Sequence, residues 1–159
     1  MTEQRITAMM EAVIAGQYQS LLDSIPYVSH LGIRVENATG DTTEPLRFHL
    51  PFRPEIIGNP MLPALHGGVV GALLETTGLI QVIVSERQPR LPKLIDFSVD
   101  YLRSAQAKDC WATCDVARMG SRVAAISVRC WQENEARPIA TARAHLLLVD
   151  DGATPARQG

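Results

Sequence analysis

Ile6, Met9, Met10, Val13, Ile14, Tyr18, Leu21 and Leu22 recur at helical spacing and predict a helix over residues 3–24. Pro26 should end it or enforce a turn beyond it. The stretch "HLGIRVENATGD" begins apolar and runs to a Gly40-Asp41 turn. "EPLRFHLPF" then alternates, with Leu46, Phe48, Leu50 and Phe52 on one face and Arg47 and His49 on the other. These read as two strands of a hairpin. "RPEIIGNPMLP" carries three prolines and a glycine and predicts an irregular loop. A long apolar segment from His66 predicts a second helix over 66–86. Four strand-like runs follow: "KLIDFSVDYLR", "CWATCDVAR" and "RVAAISVRCWQ" around the turn "MGS", and "PIATARAHLLLVD".

Short connections among the four late strands predict an antiparallel meander. A sheet of five or six strands needs its apolar face covered, and the long helix is the available cover. The expected class is therefore α+β, a sheet wrapped around one central helix, with an extra helix at the N-terminus. The 159 residues suit one domain, 1–150, followed by a flexible tail, 151–159.

Composition narrows the picture. Hydrophobic residues make up 46% and charged residues 20%, which favours a globular chain over a disordered one. The net charge is −2 and no basic run is present, so no nucleic-acid partner is expected. No uninterrupted apolar run approaches the roughly 20 residues of a membrane span, and "MTEQRITAMMEAV" does not read as a secretory signal. Cys110, Cys114 and Cys130 lie in strand-like segments without a histidine pair at zinc-ligand spacing. They predict reduced, half-buried thiols in a cytoplasmic protein and no metal site.

The central helix holds the chemistry. Val69, Val70, Leu73, Leu74, Leu79, Ile80, Ile83 and Val84 cover it nearly all round, as in a buried helix. Gly67, Gly71 and Gly78 share a stripe. Glycine costs about 1 kcal/mol relative to alanine inside a helix, so close approach to a strand or a second subunit is expected there. Glu75 is the sole charge between His66 and Ser85. A buried, unpaired carboxylate is expensive. Glu75 therefore either reaches solvent or caps a neighbour, or it is an active-site acid. Thr76 and Thr77 can back-bond to the preceding turn.

At the helix start, orphan amides and the dipole favour a developing negative charge. Gly67 and Gly68 suit carbonyl polarisation there. His66 reads equally as an N-cap or loop anchor. Glu75 lies eight residues after Gly67, roughly 12 Å along the axis at 1.5 Å per residue. One substrate carbon cannot touch both groups of the same helix. If both act on one carbonyl, antiparallel copies of this helix must meet across a two-fold interface.

Asn59, the His66-Gly67-Gly68 segment, Glu75, "IDFSVDYLRSA" and "RMGSR" together resemble the hotdog-fold acyl-CoA thioesterases of the phenylacetate-pathway (PaaI-like) type, over nearly all of Ile25 to Val149. The resemblance implies a hotdog fold and hydrolysis of acyl-CoA thioesters by a homodimer or a dimer of dimers, with CoA present only as part of the substrate. It places the family's acid on Glu75, its amide donor on Gly67 of the partner chain, its histidine on His66 and its asparagine on Asn59. Gly68 and Thr76 join them as substrate-binding candidates. Two departures stand out: Asn59 precedes His66 by seven residues, and Leu94 takes a place often held by serine or threonine. Arg118, Gly120, Ser121 and Arg122 form a turn able to meet CoA phosphates, or an ordinary hairpin with solvated arginines; Arg103 could serve likewise. Ile56, Ile57, Met61 and the partner's helix are expected to line the acyl pocket. A non-catalytic acyl-CoA-binding module and a hotdog hydratase or dehydratase are the alternative functions.

Overall fold

The computed structural model of the chain describes residues 3–37, 44–86 and 90–149. The expected Gly40-Asp41 turn and the tail 151–159 lie outside them. The single N-terminal helix predicted over 3–24 is in fact broken into α1 (Glu3–Ile14) and α2 (Tyr18–Asp23), followed by α3 (Pro26–Leu31). Gly16 separates the first two at φ +67°, a conformation glycine adopts without penalty. Pro26 starts a helix instead of ending one. At the first helical position its missing N–H would have had no partner anyway. Val13, Tyr18, Leu21, Leu22, Val28 and Leu31 still point into the core, so the apolar spacing held while the backbone broke.

Two short strands, β1 (Arg34–Val35) and β2 (Arg47–Leu50), form the expected hairpin pair. The predicted irregular loop contains a 3₁₀ turn at Pro54–Ile56 and a small hairpin of β3 (Ile57–Asn59) and β4 (Ala64–Leu65). The central helix α4 spans Gly67–Ser85, and β5 (Leu91–Tyr101), β6 (Cys110–Met119), β7 (Val123–Trp131) and β8 (Ala140–Val149) follow. The six-stranded sheet is antiparallel in the order β1-β2-β6-β7-β8-β5.

The expected meander therefore holds only for β6, β7 and β8. β5 crosses to the far edge and pairs with β8. No tight turn joins it to β6. Segment 102–109 instead runs across the end of the sheet, where the Leu102 and Arg103 amides both donate to the Ile139 carbonyl and Gln106 bridges to Ala64.

Alternation along the strands sends Phe48, Leu50, Ala112, Cys114, Ile126, Val128, Leu146 and Leu148 inward onto α4. The helix is long and apolar enough by composition to cross a bilayer, yet 61% of that window is buried here, as befits the core helix of a sheet. Gly78 lets it settle on β7: a Cβ there would lie 2.3 Å from Ile126 Cδ1. Buried Gln81 accepts the Leu46 amide at 2.8 Å, fixing the start of β2 against the helix.

The thiols of Cys110, Cys114 and Cys130 are free and fully buried, deeper than the half-burial expected. Burial pushes the Cys114 thiol up to about 12, and the Cys130 thiol is raised by its own contact with Cys110 and by burial. The thiolate is the reactive form. Dithionitrobenzoate added to the native protein at pH 8 should therefore release no dye from these cysteines until denaturant opens the sheet. Prompt release would show that the sheet breathes on the assay timescale.

On the outer face, His49 Nε2 lies 2.8 Å from Asp109 Oδ2, and the His49 ring stacks on Trp111 at 5.1 Å. The Phe52 amide donates to Asp109 Oδ1 at 2.8 Å. That amide first, and His49 second, hold the Asp109 carboxyl below its ordinary value of 3.8. A depressed folded-state pKa stabilises above the unfolded value and loses that stabilisation as pH falls through the folded one. Asp109→Asn should therefore cost stability at pH 6, by under about 1 kcal/mol for so exposed a pair. The gap from wild type should close below about pH 4 in urea titrations. A gap that widens in acid would contradict the assignment.

Candidate active site

His66 is the N-cap of α4, and its Nδ1 accepts the Gly68 amide at 2.9 Å. An accepting Nδ1 leaves the neutral ring's proton on Nε2. The Val69 and Val70 amides both donate to the His66 carbonyl. Of the first-turn amides, only that of Gly67 finds no acceptor among the described residues. The Gly68 amide is occupied by the cap, so of the two glycines expected to polarise a carbonyl, Gly67 alone keeps a free donor.

Gly67 and Gly71 seat the ring of Tyr101, whose hydroxyl donates to the Gly67 carbonyl at 2.7 Å. The close approach expected of the glycine stripe is thus made within one chain, to β5 by Gly67 and Gly71 and to β7 by Gly78. Beside this corner opens a cavity of about 390 Å³ lined by Leu65, Gly67, Val70, Tyr101, Arg103 and Ile139 among others. It is not the pocket expected around Ile56, Ile57 and Met61. Ile56 is spent in the core at 4% exposure, and Met61 projects at 87%. The Arg103 guanidinium is tied to the Pro138 carbonyl at 2.6 Å.

Glu75 stands two turns along the same helix. Residues 69, 70, 73, 74, 76–78 and 80–83 are buried against the protein's own sheet. Gly68, Gly71, Ala72, Glu75 and Leu79 form the stripe left partly open. The Glu75 carboxylate is half-buried and makes no hydrogen bond or ion pair among the described residues. Since α4 is unbroken from Gly67 to Ser85, the separation of roughly 12 Å from Gly67 holds along the helix. Thr76 is buried beside it, and Thr77 Oγ1 is buried without a hydrogen-bond partner, so the back-bonding expected of it is not made.

Asn59 ends β3, and its Oδ1 accepts the Met61 amide at 3.0 Å and the Leu62 amide at 3.4 Å. The side-chain oxygen thus builds the β3–β4 turn. Leu94 lies on β5 beside an irregularity between Leu94 and Asp96, 39% exposed.

Arg118, Gly120, Ser121 and Arg122 line a second cavity of about 360 Å³ with Val123, Ala125 and His145. Ala125 is the cross-strand neighbour of both Arg118 and His145. It faces away from the side on which Ile126 meets α4. Within one chain, the sheet therefore separates this turn from Glu75 and Gly67.

Two residues that matter here escaped sequence reasoning. Tyr101 stands near the end of the strand-like run "KLIDFSVDYLR", where nothing local marks it out. Gly58 sat in a segment read as irregular, yet a Cβ there would lie 2.6 Å from His66 Cα and 2.8 Å from His66 Cβ. The bare backbone of β3 is what lets the cap sit flush against it.

This geometry has relatives. Residues 58–147 match a family model described as the acyl-CoA thioesterase N-terminal domain, and the chain belongs to that family. Its fold is that of the hotdog thioesterases. A protein of Chromobacterium violaceum is 32% identical, with 91% of this chain and 98% of that one aligned and a TM-score of 0.72. A thioesterase of Haemophilus influenzae shares the fold at 22% identity, covering 81% and 86% of the two chains, with a TM-score of 0.70. A phenylacetic acid degradation-related protein of Ralstonia eutropha does so at 19%, covering 78% and 90%, with a TM-score of 0.68. No curated protein matches the chain by sequence.

A side chain at position 58 would have to move backbone, not a flexible tip. Gly58→Ala should lower the urea midpoint by the equivalent of about 1–3 kcal/mol. An unchanged midpoint would show that the β3–β4 hairpin shifts freely and does not hold the cap.

Proposed function

We propose that the protein hydrolyses acyl-CoA thioesters to free acid and CoA as a homodimer, with dimers pairing further, and that each active site joins Glu75 of one protomer to the partner's Gly67. The family supplies the acyl-CoA substrate class. One observation carries the residue roles: an unpaired carboxylate in the middle of the open stripe of α4 and an unpartnered amide at the end of the same helix, too far apart to serve one carbonyl unless two copies meet antiparallel. The edge strand β5 supports the pairing. It exposes Ile95 at 54% and Tyr101 at 57%, and its outer side has no neighbouring strand among the described residues. Such an edge is a ready template for a second chain. An isologous β5–β5 contact would turn the two open stripes toward each other.

In this reading the Gly67 amide and the helix end hold the oxyanion. Glu75 either deprotonates the attacking water or attacks the carbonyl itself to give a transient anhydride. The thiolate leaves without needing a strong acid. His66 sets the helix cap, Gly68 flanks the bound ester, and Asn59 shapes the turn at its border; Thr76, expected beside the ester, is instead buried against the sheet. The turn of Arg118, Gly120, Ser121 and Arg122 lies across the sheet, so it would meet CoA phosphates only from a neighbouring subunit. The PaaI-like subtype belongs to the same proposal, its support being the fold shared with the Ralstonia protein. A cytoplasmic location rests on the three free thiols.

Thiol release from a panel of aryl and medium-chain CoA esters tests the proposal. Glu75→Gln should lower turnover about 10²- to 10⁴-fold, the range for loss of a catalytic base, without lowering the melting temperature. Full activity in that variant would remove Glu75 from the mechanism. Tight binding without release in the wild type would identify a binding module instead.

A further inference from the structure

The peptide group joining Gly67 to Gly68 is gripped at both ends by side chains from different elements. Its N–H donates to His66 Nδ1 at 2.9 Å, and its carbonyl accepts from the Tyr101 hydroxyl at 2.7 Å. His66 comes from the loop before α4, whereas Tyr101 is the last residue of β5, 34 positions after Gly67. Two consecutive glycines are the most pliable start a helix can have, and here they open the turn that carries the unpartnered Gly67 amide. The seat is built for the ring. A Cβ on Gly67 would stand 3.4 Å from Tyr101 Cζ, and one on Gly71 would stand 3.6 Å from its hydroxyl oxygen.

We infer that Tyr101 is a positioning residue for the thioesterase reaction: its hydroxyl locks the Gly67–Gly68 peptide against the edge strand and so fixes the direction in which the neighbouring Gly67 amide points. This rests on the proposed role of that amide. Tyr101 touches no reacting atom. It acts through the glycine backbone, and its strand is the one across which the partner is proposed to pair. The distance from one protomer's helix start to the other's Glu75 would then be set through this hydrogen bond. An oxyanion donor works only when aimed in advance, and a small misplacement of reacting groups is felt strongly in rate. The clamp also strengthens the cap, because a hydrogen bond to the carbonyl polarises the N–H of the same peptide.

Tyr101→Phe keeps the ring in its seat and removes only the donor. Its kcat should fall about tenfold, the worth of one neutral hydrogen bond, with KM within twofold and the melting temperature close to wild type. Replacement of Tyr101 by p-aminophenylalanine restores an N–H donor at the same place and should recover most of the rate. Hydrogen exchange of the Gly67 to Val70 amides needs no substrate. It should quicken in Tyr101→Phe at this turn and not along the rest of α4. An unaltered kcat in Tyr101→Phe beside an inert Glu75→Gln would overturn the inference and leave the proposed function standing. A wild type that releases no thiol would overturn the function. The clamp itself would then stand or fall on hydrogen exchange, and unchanged exchange at the turn refutes it in either case.

Discussion

A helix that is apolar nearly all round has to be enclosed, and the described six-stranded sheet covers only part of it. This mismatch governs the molecule. The sheet wraps the faces of α4 that carry Val70, Leu73, Leu74, Ile80 and Val82, each at most 2% exposed. A stripe of Gly68, Gly71, Ala72, Glu75 and Leu79 is left partly open by the described residues. Small residues keep that stripe shallow. The one carboxylate in it is half-buried and unpaired among the described residues, and the role proposed for Glu75 rests on that.

The helix start solves a separate problem with the same economy. Every helix begins with amides that have no intrahelical acceptor. Here the cap residue takes up three of them, the Gly68 amide with its ring nitrogen and the Val69 and Val70 amides with its carbonyl, so the unsatisfied donor is narrowed to Gly67. The surroundings hold that corner from two sides. β3 presses bare backbone at Gly58 against His66, and β5 delivers Tyr101 onto Gly67. These glycines serve close approach, and in each case the neighbour is a residue that shapes the donor.

Sheet order decides what can reach this corner. Because β5 crosses to the far edge beside β8, its free side and the helix start lie at the same border of the fold, next to the cavity that holds Tyr101 and Arg103. A meander of all four late strands would have placed β5 inside the sheet and closed off that border. The arginine turn at Arg118 to Arg122, attractive on charge alone, belongs to the opposite face.

The apolar spacing alone determined that one helix would be central and buried, that alternating strands would wrap it, and that Glu75 was out of place. Burial period and the cost of a lone carboxylate are local properties, and they survive any topology. The same spacing ran straight through Gly16 and misjudged Pro26, because a turn can break the backbone without disturbing which residues face the core. Gly67 and His66 were legible as a helix start, but the division of labour between them was not. Only the tertiary structure decided that the Gly68 amide is occupied, that Asn59 builds its own turn, that β5 lies at an edge, and that Tyr101 reaches Gly67 across 34 positions. The first two are contacts across two residues whose rotamer and turn the residue types left open; the last two join segments distant in sequence, whose register is set by how sheet and helix pack together and not by the residues on either side.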